Sequence, residues 1–495
     1  MADAITGAPA ADQPQVSTPD WVKDAVFYQI FPDRFAKSDQ IVHPNILEPW
    51  DSEPTVLGYK GGDLRGVQEK LDYLLDLGIN AIYFNPIFQS ASNHRYHTHD
   101  YYQIDPVLGD NAIFKEMLDA CHAKGIKVVL DGVFNHASRG FYQFNSILEL
   151  GEASPYRDWF TVHGYPMRAY EKNHQYAAWW GLAALPKFNT DVQAVRDFLL
   201  GVGRYWMEQG IDGWRLDVPN EINDDEFWRE FRRIVKGVNP EGYITGEIWF
   251  DASHWLQGDQ YDSVMNYIFT KHCLGFFSQS LNHDLVSRMS YSPIRKLSAS
   301  GFAKNINALL HLYPREVTLA QLNLLDSHDT PRFLSQVNED ESALRLATLY
   351  QMCYPGAPSV YYGDEIGMLG GRDPECRRSF PWDESKWNKG LRDFFKQTIA
   401  LRKAHSALRR GEYSTLYAEG SLYVFARHDA NETVIVALNI GTAPLNLSIG
   451  LQGLVPNGAT VRAIFGGEGR AQAAGGRLRG LTVEPRSGLV LQVEK

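Results

Sequence analysis

Short apolar runs bounded by glycine alternate with amphipathic stretches of helical period over roughly the first 360 residues. Residues 25–31 (AVFYQIF) read as a first strand, and residues 63–77 repeat apolar positions at helical spacing until Gly78 stops them. A strand follows at 79–84, a helix at 112–124, and a nearly continuous apolar strand at 126–132 (IKVVLDG). Strands apolar on both faces, separated by helices, are the rhythm of a parallel sheet with helices packed outside it. After residue 190 the rhythm resumes with a helix at 192–209, a strand at 213–217, a helix at 225–235 and strands at 242–247 and 263–266. A helix within 302–312, a strand at 318–326, a helix at 344–353 and a strand at 359–362 complete about eight units, the number that closes a barrel.

Two stretches break this pattern. Residues 137–190 are irregular and rich in aromatics, with YAAWWGLAALPKFN near their end, and they are too long for a plain loop. They predict a small domain inserted above the barrel rim after strand three. From about Glu412 the sequence alternates with period two between glycine-rich turns (SLYVFARHD, TVIVALNI, LVLQVE), as in antiparallel sheet. The expected fold is therefore α/β: a (β/α)8 TIM barrel with an excursion domain after strand three and a C-terminal antiparallel β-sandwich. The expected divisions are a leader (1–20), the barrel (21–136 and 191–410), the insertion (137–190) and the sandwich (411–495).

Three acids end apolar runs: Asp217 in GWRLD, Glu247 in YITGE and Asp329 in LLDSHD. A βα barrel presents its chemistry at the C-terminal ends of its strands. Acids gathered there can supply a nucleophile, a proton donor and a charge that steadies a cationic sugar, which is the requirement for cleaving a glycosidic bond with retention. Each acid taken singly has a structural reading as well. Asp217 can pair with Arg215, two residues earlier on the same strand face; Glu247 can be a satisfied core acid; Asp329 can cap a helix. Histidines such as His136 and His328 are more often structural than catalytic. Convergence of all of them on one rim favours catalysis.

Four segments, DGVFNH (131–136), GWRLDVPNE (213–221), GEIW (246–249) and LLDSHDTPR (324–332), occur in order at predicted strand ends. With them the chain resembles the α-amylase superfamily, glycoside hydrolase family 13. The resemblance implies that Asp217 is the nucleophile, Glu247 the general acid/base and Asp329 the third acid. It also implies that Arg215 aims Asp217, that His136 and His328 bind sugar hydroxyls, that Tyr96 is a platform under the reacting ring, and that Asp131 supports its Arg and Tyr neighbours. LPKFN (185–189), WLQGDQYDSVMNY (255–267) and GGRDPECRRSFPW (370–382) resemble the cyclomaltodextrinase, neopullulanase and maltogenic amylase group. That group cuts α-1,4 links in cyclodextrins, pullulan and starch fragments. Within it Asp373 and Arg377 match a pair contacting sugar on the non-reducing side, and Glu221 matches a residue on the leaving-group side.

The sequence departs from the group in three places. Only about twenty residues precede the first strand, where members carry a further domain that helps them dimerise, so a monomer or weak homo-oligomer with a more open cleft is expected. His97 stands where the family commonly has Asp. Calcium is a further expectation that the resemblance implies: Asn135 resembles one ligand, and Asp39, Gly61 and Asp63 are what remains of a second ligand loop. Alternatives with the same acids are an α-amylase acting mainly on starch, an α-glucosidase and a transglycosylase. A non-catalytic glucan-binding protein would be attractive had one acid become Ala, Asn or Gln, and none has.

Composition adds exclusions. A formal charge of -11 gives no support to a nucleic-acid partner and suits a neutral α-glucan. Aromatics at 13% exceed what a generic core requires and can line a sugar groove. The four cysteines are spaced like neither a disulfide framework nor a zinc motif, so reduced thiols are expected. Residues 1–20 read as a disordered leader, not a signal peptide, and no apolar stretch is long enough to span a membrane; a cytoplasmic location is expected. No glycine-rich phosphate loop occurs, so no organic cofactor is expected.

Overall fold

The computed structural model describes residues 16–43 and 46–494. Eight parallel strands form the central sheet: β1 (Phe27–Ile30), β2 (Ala81–Phe84), β3 (Lys127–Gly132), β4 (Gly213–Leu216), β5 (Tyr243–Gly246), β6 (Ser263–Val264), β7 (Leu322–Leu324) and β8 (Ala357–Tyr361). Their spatial order is β6-β5-β4-β3-β2-β1-β8-β7. A parallel bridge between Met265 and Leu322 joins the two outer strands and closes the barrel. Strand interiors are buried on both faces, as their unbroken apolar runs require.

Several boundaries differ from the periodicity. Residues 63–77 form two helices, Leu64–Glu69 and Leu71–Leu77, broken at Lys70; Asp63 caps the first by accepting from Gly66 N. Thr318–Ala320, expected in a strand, end the helix Arg315–Ala320, and β7 begins only at Leu322. Apolar residues crowd that helix because it is buried, and period alone does not separate a short buried helix from a strand. Of the expected leader, residues 1–15 lie outside the described residues, but Ser17 and Thr18 are fixed to the barrel. Arg232 Nη2 donates to Ser17 O and Thr18 Oγ1 donates to Glu316 O.

Residues 137–190 sit on the rim after β3 as the helix Tyr142–Leu150 and irregular chain held by the bridges Phe160↔Phe188, Val162↔Tyr176 and Ala178↔Pro186. The C-terminal part is a β-sandwich. Strands β9 (Glu412–Glu419), β10 (Leu422–His428), β11 (Thr433–Asn439), β12 (Leu445–Gly450), β13 (Thr460–Phe465), β14 (Arg470–Gln472), β15 (Arg477–Val483) and β16 (Ser487–Val493) make a six-stranded sheet, β9-β10-β11-β16-β13-β14, and the pair β12-β15. Alternation along β10 divides its side chains. Val424 and Ala426 face the sandwich interior, whereas Tyr423 and Phe425 join the core of the barrel.

Candidate active site

Register brings the acids together. In β4, Arg215 lies opposite Asp131 of β3 on one side and Thr245 of β5 on the other. Asp217 and Glu247 directly follow these strands, with Asp217 N donating to Gly132 O (3.0 Å) and Glu247 N to Leu216 O (2.9 Å). The strands approach closely at Gly213, where a Cβ would lie 2.2 Å from Tyr243 O. Only glycine fits there.

Arg215 is the hub. It is fully buried, and its Nη1 lies 2.9 Å from both oxygens of Asp131 and 3.1 Å from Asp217 Oδ1. Nη2 lies 2.9 Å from Glu247 Oε2, yet its N–H groups are not aligned on that oxygen and Nη2 has no hydrogen-bond partner among the described residues. One guanidinium therefore serves three carboxyls, with aligned bonds to two. Glu247 is held otherwise by Val218 N (3.3 Å to Oε2) and Trp249 Nε1 (3.2 Å to Oε1). Val218 has φ 37°, ψ 50°, a left-handed conformation strongly unfavourable for a β-branched residue. That strain turns the chain after Asp217 back toward Glu247.

Asp329 belongs to a second cluster. His328 Nε2 lies 3.0 Å from Asp329 Oδ2 and 2.7 Å from Tyr96 Oη; Tyr96 in turn donates to Asp131 Oδ2 at 2.9 Å. Gln29 Nε2 donates to His328 Nδ1 at 2.9 Å, which puts the ring proton on Nε2. Tyr96 and His328 stack with planes 9° apart. Arg377 donates from Nη2 to Asp329 Oδ1 (3.0 Å), from Nε to His328 O (2.9 Å), and pairs through Nη1 with Asp373 Oδ1 (3.0 Å). The two clusters meet at Asp131, so eight of the ten predicted catalytic and sugar-contacting residues share one rim network. Glu221 and His136 lie beside it: Lys187 Nζ bonds Glu221 O (3.0 Å) and Oε2 (3.3 Å), and Lys187 bridges to His136 through the backbone.

Charge states follow from burial. Burial raises the Glu247 carboxyl, opposed by Arg215 and reinforced by Asp329. Burial also raises Asp217 well above the ordinary carboxylate range, again against Arg215. Asp329 is partly exposed, and for it burial is outweighed by His328, Arg377 and Arg215, which hold it low. His136 is pushed down to about 3 by burial and stays a neutral imidazole.

The calcium expectation fares differently. Asp63 Oδ1 accepts from Gly66 N, and Oδ2 accepts from Ser38 N and Ser38 Oγ, with the buried His43 Nε2 4.0 Å away. Asp39 is exposed, and Gly61 N donates to Asp33 Oδ1. Asn135 Oδ1 is a buried oxygen without a partner, but its neighbour through Nδ2 is His136 Nδ1, and no group of three or more His, Cys, Asp or Glu that could hold a metal occurs among the described residues. His97, the other departure, meets the His94 ring edge-on at 4.9 Å.

Against known proteins, the family description "Alpha amylase, catalytic domain" matches residues 29–411. The chain belongs to the α-amylase family of glycoside hydrolases. Residues 413–492 match the "Neopullulanase-like, C-terminal domain" description. A cyclomaltodextrinase of Geobacillus thermopakistaniensis (strain MAS1) is 47% identical over 425 residues, 85% of this chain and 69% of that protein. Among solved structures, Ttha1563 from Thermus thermophilus superposes with a TM-score of 0.93 at 46% identity, covering 96% of this chain and 100% of that one. The debranching enzyme of Nostoc punctiforme gives 0.87 at 49% identity, covering 96% and 99%. In this α-amylase family member, sequence reasoning passed over Gln29, Tyr83 and Lys187. Gln29 carried a signal: a polar residue inside the apolar run AVFYQIF, buried and orienting His328. Tyr83 donates to Asp131 at 3.1 Å, a role its place in AIYF does not reveal.

Proposed function

We propose that this protein is a retaining α-1,4-glucan hydrolase acting on maltooligosaccharides, cyclodextrins, pullulan or starch. Asp217 is the nucleophile, Glu247 the general acid/base and Asp329 the third acid. The observation that carries this reading is the gathering of both carboxyls on one buried guanidinium, with Arg215 3.1 Å from Asp217 Oδ1 and 2.9 Å from Glu247 Oε2 at the ends of adjacent strands. Burial raises both carboxyls while Arg215 opposes it, so the pair carries a proton readily; in this reading Glu247 holds it and Asp217 attacks as the anion.

In the first step Glu247 protonates the glycosidic oxygen as Asp217 attacks the anomeric carbon, forming a covalent glycosyl-enzyme and freeing the leaving chain. Glu247, now ionised, takes a proton from water, whose oxygen displaces Asp217. Asp329, held anionic, supports the positive charge that develops on the sugar in both transition states.

Glu247→Gln should lower turnover of soluble starch and β-cyclodextrin by about 10²–10⁴-fold with the fold retained. Undiminished turnover rejects the assignment. Similarity to a debranching enzyme favours α-1,6 cleavage as a second reading. Pullulan products separate the two, since panose reports α-1,4 cleavage and maltotriose reports α-1,6 cleavage.

A further inference from the structure

One aromatic side chain beside the cleft is neither packed nor used by the chemistry above. Trp180 is 77% exposed, although most large aromatics of this chain are buried. It sits at the tip of a ribbon whose strands are joined by the bridge Ala178↔Pro186 and by Lys187 N donating to Ala177 O (3.0 Å), and a second bridge, His136↔Lys187, ties its base to the segment after β3. The second bridge lies at the candidate active site, so the base of the ribbon is anchored there. The tip is held by Trp179 N donating to Leu185 O (3.0 Å) and Leu182 N donating to Trp179 O (2.9 Å).

Two features set Trp180 apart from an ordinary surface residue. Its backbone is left-handed, φ 51°, ψ 22°, a conformation that a bulky L side chain rarely adopts and that clusters at ligand sites. Its ring also continues a stack that starts inside the cleft. Trp179 lies parallel to His136 (5.4 Å, 20°), and Trp180 lies parallel to Trp179 (4.6 Å, 12°). His136 Nε2 and Trp179 Nε1 are both buried without a protein partner among the described residues. If Trp180 merely shielded Trp179, neither the strain nor the exposed outer face would be required.

We propose that Trp180 is a stacking platform for a glucosyl unit beyond the bond being cleaved, on the side of the cleft marked by Lys187 and Glu221. The C–H face of an α-linked glucopyranose packs on its open ring face. The platform recognises chains long enough to extend past the tip of the ribbon. This inference rests on the proposed α-glucan cleft and adds an outer subsite to it.

The test compares kcat/KM for maltoheptaose with that for maltotriose. In Trp180→Ala the ratio should fall about tenfold, the loss of one stacking contact, and Trp180→Tyr should recover most of it. A second readout is binding: in a Glu247→Gln background maltoheptaose should quench tryptophan fluorescence, and adding Trp180→Ala should remove most of the quench. Melting curves of both Trp180 variants check that the ribbon is folded. A ratio within twofold of the parent in Trp180→Ala overturns the platform, as does equal loss in the Ala and Tyr variants. If the parent enzyme cleaves neither oligosaccharide, the hydrolase reading falls and this subsite falls with it, an outcome distinct from an unchanged ratio.

Discussion

Among single residues, Arg215 and His136 show how burial sets chemistry in the cleft. Removing the Arg215 guanidinium would leave Asp131 and Asp217 buried without their cation. Arg215→Met should therefore cost about 3–5 kcal/mol of stability, read by urea unfolding, as well as activity. His136 gives a pH dependence of known sign. Its imidazole titrates near 3 in the folded protein because burial disfavours the cation, against about 6.5 when unfolded. Between these values the unfolded chain binds a proton that the folded protein refuses. The stabilisation is whole above pH 6.5 and is lost as pH falls toward 3, at about 1.4 kcal/mol per pH unit. Melts between pH 7 and 4.5 should show a shallower acid slope in His136→Asn than in the parent. The acids, Arg215 and both histidines were legible in the sequence because they sit in recognisable strings. Val218 was not, since nothing in its neighbours announces a β-branched residue at positive φ.

At the level of elements, apolar runs located all eight strands because parallel strands buried on two faces have little choice of residue. Their ends were less legible. Lys70 divides residues 63–77 into two helices where the apolar period continues, and the buried helix before β7 is as apolar as a strand. The Asp373–Arg377 segment was recognisable as a motif, but its tie to Asp329 depends on β7 and β8 being neighbours. Neighbourhood of this kind is a property of the closed barrel and is not written in either segment alone. The aromatic run before Leu185 was visible, whereas the turn that exposes Trp180 and shelters Trp179 was not.

Over the whole molecule, the barrel and the sandwich share one hydrophobic core through Tyr423, Phe425, Val434, Val436, Leu438 and Val490. Arg427 crosses that boundary. It is fully buried and donates to Cys353 O (2.6 Å), Leu408 O (2.7 Å) and Gly411 O (2.9 Å), carbonyls on the barrel side and the junction. Calorimetry should therefore show a single unfolding transition. Arg427→Met, which removes the donor to Cys353 O and Gly411 O and leaves Leu408 O only its bond from Arg402 Nη1, should lower stability by roughly 3 kcal/mol or split the transition in two. An independent second peak in the parent protein would contradict the shared core.

The cylinder is not equally strong all the way round. Between β6 and β7 the backbones are joined by one bridge, Met265 to Leu322, and the amide of Asn266 donating to Leu322 O at 2.8 Å; side chains add Asn266 Nδ2 to Asn323 Oδ1 (2.9 Å) and Thr270 Oγ1 to Leu324 O (2.7 Å). Asp329 follows β7 on one bank of this seam, whereas Asp131, Arg215, Asp217 and Glu247 all stand on the continuous β3-β4-β5 sheet on the other side. Breathing at the seam would move the third acid away from the nucleophile and proton donor, which share one cradle. A covalent clasp placed across it would be the place to trade motion against rate.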